Sequence, residues 1–447
     1  MSDKHGLGTL VNEANELGAD SLDLFSLPPI ERLLVHGKTI IFHPTSVLTD
    51  QGPHEFSMPA DNSDFTILPF TTLDGCVEVQ KIDGTALTDT EKTTIVNLFP
   101  HTLFRQVEVY LNEKLISDIT TPTYAYKAYI ETHLSHKKAI KETILQDSEF
   151  YYKEVVGKEE TFATADTDVY PNLQRYKRIK GKKIYFSITP HVDFLQCQRL
   201  LLPGCTLKFR FLRNEDSFSL FCPDGGAIAA KIVFKELTMS CRRVTIDPEA
   251  VRKIESHLLT TPAIYPVTNA KIKKLLINAG TQSINLSQII RGPLPRSIIV
   301  GFVGSKNADG HLNKNPFLFQ HFKNCYFNAT LDGEAIVPKV FEPDCATTAN
   351  PKALREYKWF LNNIGCYDQV SVDITFADFM ANSFFYAFDL SPDLCNSFYL
   401  HGVENGNFEL QLAFKDALAE NVNCIVYAAF NEFVMIDNER NVTLVEK

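Results

Sequence analysis

The sequence predicts an all-β chain of two similar β-sandwiches in tandem, with short helices in inter-strand insertions. Three observations predict it. The first is a pattern that occurs twice, about 200 residues apart. Ile184-Tyr185-Phe186-Ser187-Ile188-Thr189-Pro190 leads to a turn at Pro203-Gly204 and then to the alternating run Thr206-Leu207-Lys208-Phe209-Arg210-Phe211. Phe384-Phe385-Tyr386-Ala387-Phe388-Asp389-Leu390-Ser391-Pro392 leads to a turn at Asn405-Gly406 and then to Phe408-Glu409-Leu410-Gln411-Leu412-Ala413-Phe414. Proline and glycine are fourteen residues apart in both copies.

The second observation is that the match extends both ways. Downstream, Ile232-Val233-Phe234 and Ile425-Val426-Tyr427 each open an apolar stretch that ends near an aspartate, Asp247 and Asp437. Upstream, each half holds a hairpin. Val107 to Leu111 turns at Asn112-Glu113 into Lys114-Leu115-Ile116, and Tyr326 to Leu331 turns at Asp332-Gly333 into Glu334-Ala335-Ile336. Asp-Gly suits the positive φ angles of a tight hairpin. Each hairpin precedes an expected helix, Tyr124 to Leu134 and Pro351 to Asn362. Four coincidences in one order indicate a duplicated unit. The third observation is composition. The chain has 33 Phe and 16 Tyr, and aromatics pack well on pleated surfaces.

Taken in order, residues 1–30 read as an arm closed by Pro28-Pro29, with a short helix expected from Val11 to Leu17. Its stretch Ser21-Leu22-Asp23-Leu24-Phe25-Ser26-Leu27 is apolar enough to want burial, on its own domain or on a neighbour. Residues 31–260 hold the first sandwich, with short apolar runs at Ile40 to Phe42, Phe65 to Phe70, Val77 to Val79 and Val107 to Leu111. Residues 133–183 interrupt them with a polar excursion that ends in a basic run, Arg175 to Lys183. Pro248 to Leu259 reads as a helix whose apolar face is Val251, Ile254 and Leu258. Thr260-Thr261-Pro262 is the expected linker. Residues 261–447 hold the second sandwich, with strands at Ile272 to Asn278 and Ser297 to Val303 and a glycine-bearing loop from Gly304 to Pro316.

At 447 residues the chain is long for one core and sufficient for two. A net charge of −10 argues against a protein that wraps nucleic acid with a broad basic face. Ten cysteines, at 76, 197, 205, 222, 241, 325, 345, 366, 395 and 424, form no CxxC pair. With a polar N-terminus, that predicts reduced thiols and no secretory signal. No run approaches 18 apolar residues, so no transmembrane segment is expected.

Catalytic chemistry is not legible. Gly301-Phe302-Val303-Gly304-Ser305-Lys306 lacks the spacing of a phosphate loop and reads as a surface loop after a strand. There is no GxSxG, no HExxH and no paired Cys/His spacing. Asp166 and Asp168, with Glu159 and Glu160, could hold a divalent cation, but a solvated acidic loop is the simpler reading. The run 175–183 could touch phosphate, a membrane surface or an acidic partner, or be a solvated loop. No catalytic, cofactor or metal residue is assigned.

At this point the chain resembles the double jelly-roll major capsid proteins of polinton (Maverick) elements and adintoviruses. The resemblance runs through Leu22 to Pro29, His43-Pro44, Leu48 to Phe56, Leu103 to Asn112 and Asp193 to Gly204, where Gln198-Arg199-Leu200-Leu201-Leu202-Pro203-Gly204 is most diagnostic. It continues through Gly292 to Arg296, Lys314 to Phe317, Ala387 to Leu390, Val422 to Tyr427 and Ile436-Asp437.

The resemblance implies a structural protein without enzyme activity or cofactor. Two jelly rolls stand side by side, and three copies make a homotrimeric capsomer of pseudo-hexagonal outline. Capsomers tile an icosahedral shell around double-stranded DNA. Implied partners are the chain itself, vertex (penton) proteins and minor capsid proteins, with no sequence-specific nucleic-acid binding. The implied location is the virion capsid, assembled inside the host cell. The excursion 133–183 and the loop 304–316 are the expected towers and trimer contacts. Competing readings are a carbohydrate- or ligand-binding β-sandwich, a jelly-roll enzyme of the cupin kind, and a capsid-derived protein reused by a host. The cupin reading would need a histidine set on adjacent strands that is not apparent.

Overall fold

A computed structural model describes residues 33–88, 91–118, 122–162, 170–179, 182–223, 230–345, 352–364, 372–392, 402 and 404–446. The arm 1–30, Asp166, Asp168, Cys366 and Cys395 lie outside them. The first half contains β1 (Leu34–Phe42), β2 (His54–Met58), β3 (Asp64–Lys81), β4 (Thr94–Ile95), β5 (Phe104–Leu111), β6 (Lys114–Leu115), β7 (Ile184–Ile188), β8 (Leu207–Arg213), β9 (Leu220–Phe221) and β10 (Ala230–Ile246). The second contains β11 (Ala263–Ile277), β12 (Ser283–Pro293), β13 (Ser297–Gly304), β14 (Asn324–Leu331), β15 (Glu334–Ala335), β16 (Phe385–Asp389), β17 (Asn405–Phe414), β18 (Val422–Ile436) and β19 (Val442–Glu446).

Each half folds into two four-stranded sheets of one topology. In the first, a long sheet β1-β10-β3-β7 and a short sheet β2-β8-β5-β6 enclose a core. In the second they are β11-β18-β13-β16, with β19 added beside β18, and β12-β17-β14-β15. The orders become identical when β1, β2, β3, β5, β6, β7, β8 and β10 are replaced by β11, β12, β13, β14, β15, β16, β17 and β18. The duplicated units of the sequence are therefore equivalent strands of two rolls.

Local chemistry explains the shared elements. Asn112 and Glu113 have φ of 46° and 69°, and Asp332 and Gly333 have 50° and 86°. Both hairpins thus turn with two positive φ angles, whose twist matches that of the flanking strands. The helices that follow are Tyr124–Ser135 and Leu354–Asn363. Asp247 caps the helix Pro248–Leu258 by accepting from the Glu249 and Ala250 amides.

One expectation changes. Asn405-Gly406 is no turn: both residues lie in β17, paired with Pro293 and Gly292 of β12, and only Gly204 keeps a positive φ, 82°. The linker lies where expected, short and exposed. Only residues 259–262 separate the helix from β11, and Tyr265 of β11 sits in the first roll's core, 2% exposed. Its hydroxyl donates to Leu200 O (3.1 Å) and accepts from the Leu202 amide.

Candidate assembly surfaces

The segment between β6 and β7, residues 116–183, is the first roll's largest insertion. Its helix Tyr124–Ser135 buries nine of twelve residues, so it is covered on nearly all sides. One flank, at Tyr124, packs on the first core, and the other packs on the second roll. Tyr129 stacks on Phe317 at 4.4 Å, and the Tyr126 hydroxyl donates to Pro316 O at 3.0 Å. His133 bonds Tyr151 through Nδ1 and Ser383 through Nε2, at 2.9 and 3.0 Å. Lys141 Nζ, 3% exposed as a residue, donates to the His133 and Val372 carbonyls at 2.7 Å each. Lys153 pairs with Asp373 and Asp378.

The joint also carries buried charge. Lys127 and Glu131 lie four residues apart on one helix face. Lys127 Nζ is 2.5 Å from Asp193, which also accepts the Ala270 amide of β11 at 3.2 Å. Glu131 accepts from the Tyr427 hydroxyl of β18 at 3.2 Å and meets His191 Nδ1 at 2.6 Å. Burial pushes the Asp193 carboxyl up to about 6, against the attraction of Lys127. Burial also acts on Glu131, but Lys127 and His191 outweigh it and hold that carboxyl below its usual range. A cavity of about 60 Å³ between Lys127, Asp193, Asn269 and Glu432 is far smaller than the roughly 300–1,000 Å³ of ligand pockets. Each acid and base here is held by a partner, so the arrangement ties rolls together and presents no free catalytic pair.

The joint is reciprocal. Val434 and Ile436 of β18 are buried in the first core, and Val442 and Leu444 of β19 pack on it. Arg440, between them, donates to Pro203 O (2.8 Å) and pairs with Glu255 (2.7 Å), while its carbonyl accepts from Asn112. The loop 304–316 docks on the first roll as well. Gly310 has φ of 75°, and a Cβ there would stand 2.9 Å from the Phe218 backbone, so only glycine fits without strain.

The residues singled out by sequence fall into place as follows. Glu159 and Glu160 do not form a solvated acidic loop. Glu159 accepts from Asn382, and Glu160 accepts from Asn307 and pairs with Lys314 at 2.7 Å. Two members of the basic run face inward: Arg175, 1% exposed, pairs with Glu154, and Arg178 bonds the Gln146 and Asp147 carbonyls. Lys182 and Lys183 are exposed. Much of the excursion 133–183 and of the loop 304–316 thus joins the two rolls of one chain. After β13, Ser305–Ala308 forms a single helical turn. The eight described cysteines are free thiols, six of them buried, and burial pushes the Cys424 thiol up to about 12. Among the described residues no group of three or more His, Cys, Asp or Glu is placed to hold a metal, and no helix is long and apolar enough to cross a membrane. Sequence reasoning missed the Lys127–Glu131 face. Its signal was the pair of opposite charges, one turn apart, in a helix that carries three tyrosines and is otherwise uncharged apart from His133.

Comparison with known proteins follows this geometry. No family model matches the chain. An uncharacterized protein of Caenorhabditis elegans is 19% identical over 434 residues, covering 93% of this chain and 98% of that protein. Among solved structures, a chain of the Sputnik virophage aligns with a TM-score of 0.62 at 10% identity, covering 97% of this chain and 93% of that one. The mavirus major capsid protein aligns at 0.55 and 10%, covering 97% and 94%. The fold is the double jelly roll of viral major capsid proteins. The Faustovirus major capsid protein shares this double jelly roll at a TM-score of 0.54 and 9% identity, with 92% of each chain covered. At such identities the likeness is one of fold, and the solved double jelly rolls it joins are structural proteins.

Proposed function

We propose that this chain is a major capsid protein of the kind found in polinton elements and adintoviruses. Three copies associate into a capsomer of pseudo-hexagonal outline, and capsomers tile an icosahedral shell around double-stranded DNA. The observation that carries this reading is the pair of topologically identical rolls locked side by side by a reciprocal joint. Such a unit supplies two similar lobes in fixed orientation, and three of them close into six. On this reading residues 31–260 and 261–447 are the two lobes and residues 1–30 an arm. Vertex and minor capsid proteins are the further partners, and assembly takes place inside the host cell.

Light scattering on a sizing column tests it, with negative-stain images of the peak. The expected species has about three times the chain mass of 50.4 kDa and a hexagonal outline. A stable monomer at all concentrations would remove self-assembly from the chain's own properties. One observation favours a second reading, a capsid-derived protein reused by a host genome: the similar C. elegans protein. Trimers that never form shells, under conditions where capsid proteins assemble, would favour it.

A further inference from the structure

The second roll is left open along one edge. β11 and β12 are the edge strands of its two sheets. On the long sheet, Lys273, Val426, Val300 and Tyr386 form one cross-strand row, and Lys271, Ala428, Ile298 and Phe388 form the next. Tyr386 and Phe388 stack on Phe327 of the short sheet, with ring centres 3.7 and 6.0 Å apart. Residues opposite each other in a ladder share a face, so both lysines point between the sheets. In the first roll the row that ends on β7 runs Phe42, Met239, Leu73, Ile188, and Phe42 packs on the first core. One roll thus closes this edge with an aromatic ring, and the other sets lysines there.

Beside the lysines a cavity of about 190 Å³ remains. Its apolar wall is Ile290, Val426, Ala428 and Phe430. Its polar side carries three cations, Lys271, Lys273 and Arg291, against one carboxylate, Glu432, which leaves two positive charges in excess. Lys271 Nζ stands 2.9 Å from Glu432 and 4.9 Å from the centre of the Phe430 ring, and Lys273 Nζ donates to Ile289 O at 2.6 Å. Arg291 is exposed and has no hydrogen bond or ion pair among the described residues. Inward charge on an edge strand guards it against pairing. That accounts for the lysines and not for the unfilled volume beside them. A space walled by apolar groups on one side and cations on the other suits an amphiphilic anion. Its volume, below the roughly 300–1,000 Å³ of drug-sized pockets, limits the apolar body to one ring or a short chain. We infer that this edge of the second roll binds a small organic anion, its charged head at Lys273 and Arg291 and its apolar body on Ile290 and Phe430. The inference stands apart from the capsomer reading and goes beyond it.

Equilibrium dialysis of radiolabelled benzoate against the full-length chain tests it. Saturable binding of one benzoate per chain is expected. Benzyl alcohol, similar in size and uncharged, and inorganic phosphate, charged and without an apolar body, should each displace it about tenfold less well than unlabelled benzoate. Ala428→Leu fills the space and keeps every charge, and Arg291→Gln removes an exposed cation. Each is expected to weaken binding by about tenfold. Lys208→Glu, exposed on the short sheet of the first roll, should leave binding unchanged. The absence of saturable binding overturns the inference, and so does benzoate that binds both site variants as it binds the unaltered chain. Displacement by benzyl alcohol as good as that by benzoate overturns the role of the cations, and displacement as good by phosphate overturns that of the apolar wall. If Ala428→Leu misfolds, acetylation of the unaltered chain by acetic anhydride decides, read by mass spectrometry. Benzoate should slow the modification of Lys273 and leave that of Lys208 as it was, and equal rates with and without benzoate at Lys273 overturn the site.

Discussion

In the first roll β7 alternates buried and exposed residues, Ile184-Tyr185-Phe186-Ser187-Ile188, whereas its counterpart β16 is buried on both faces through Phe385-Tyr386-Ala387-Phe388. One topology, used twice, thus carries a sheet with a solvent face and a sheet with none. The difference lies outside the strands. The second roll's own helix Leu354–Asn363 is laid over β16: the Phe360 ring stands 6.1 Å from that of Phe385, and Trp359 Nε1 donates to Ala387 O at 3.0 Å. A strand's pattern reports its neighbours as much as its own fold, since a sheet covered on both faces loses alternation.

The sharpest way to break this comparison is to truncate the outward residue on each strand. Phe385→Ala is expected to cost about 3–5 kcal/mol of unfolding free energy and Tyr185→Ala less than about 0.5 kcal/mol, read by denaturant titration of the dilute chain. Equal costs would mean that the two faces are equally free.

The next test concerns the charged part of the joint. Lys127→Met strands Asp193 and Glu131 in a largely buried site, and it is expected to cost about 3 kcal/mol. Lys127→Met with Asp193→Leu should recover part of that loss.

Acid sharpens the comparison further, because burial lowers the affinity of His101 and His133 for protons below the ordinary 6.5. The unfolded histidines take up protons as pH falls through that value and the folded ones do not, so stability drops from there downward. Asp193 acts in the opposite sense. With its pKa raised to about 6, the folded state binds the proton first and gains stability as pH falls. Burial likewise lowers His54, His136 and His321 and raises Glu154 and Asp216, so five histidines stand against three carboxyls; the balance is a net loss, and the melting temperature at pH 5 should lie below that at pH 7.5.

The smallest effects separate the hairpin tips. Glu113 bears φ of 69° without being glycine, so Glu113→Gly should stabilise by about 1 kcal/mol, and Gly333→Ala, at φ of 86°, should destabilise by about as much. Thermal melts of the two variants check the pair.

Much of the fold was legible because the duplicated strands and hairpins are local. Alternation in Leu207 to Phe211, the Asp332-Gly333 turn and the Pro248 helix are each written in a few adjacent residues. What was not legible is non-local. Glu159 and Glu160 looked like a solvated pair because nothing near them in sequence announces Asn382, Asn307 or Lys314. Arg175 looked like surface charge because Glu154 stands 21 residues away. Asn405-Gly406 reads as a turn by composition, yet pairing with β12 holds it extended.

The seating of β18 and β19 on the first core has a consequence for synthesis. The first roll's own strands end at Ile246, but Val434, Ile436, Val442 and Leu444 complete its interior. At about 5–20 residues per second, the ribosome releases those side chains roughly 10–40 s after β10 has emerged. Over that interval the leading half stands with an unfinished core. A chain that lacks Val434, Ile436, Val442 and Leu444 therefore cannot complete the first roll's interior.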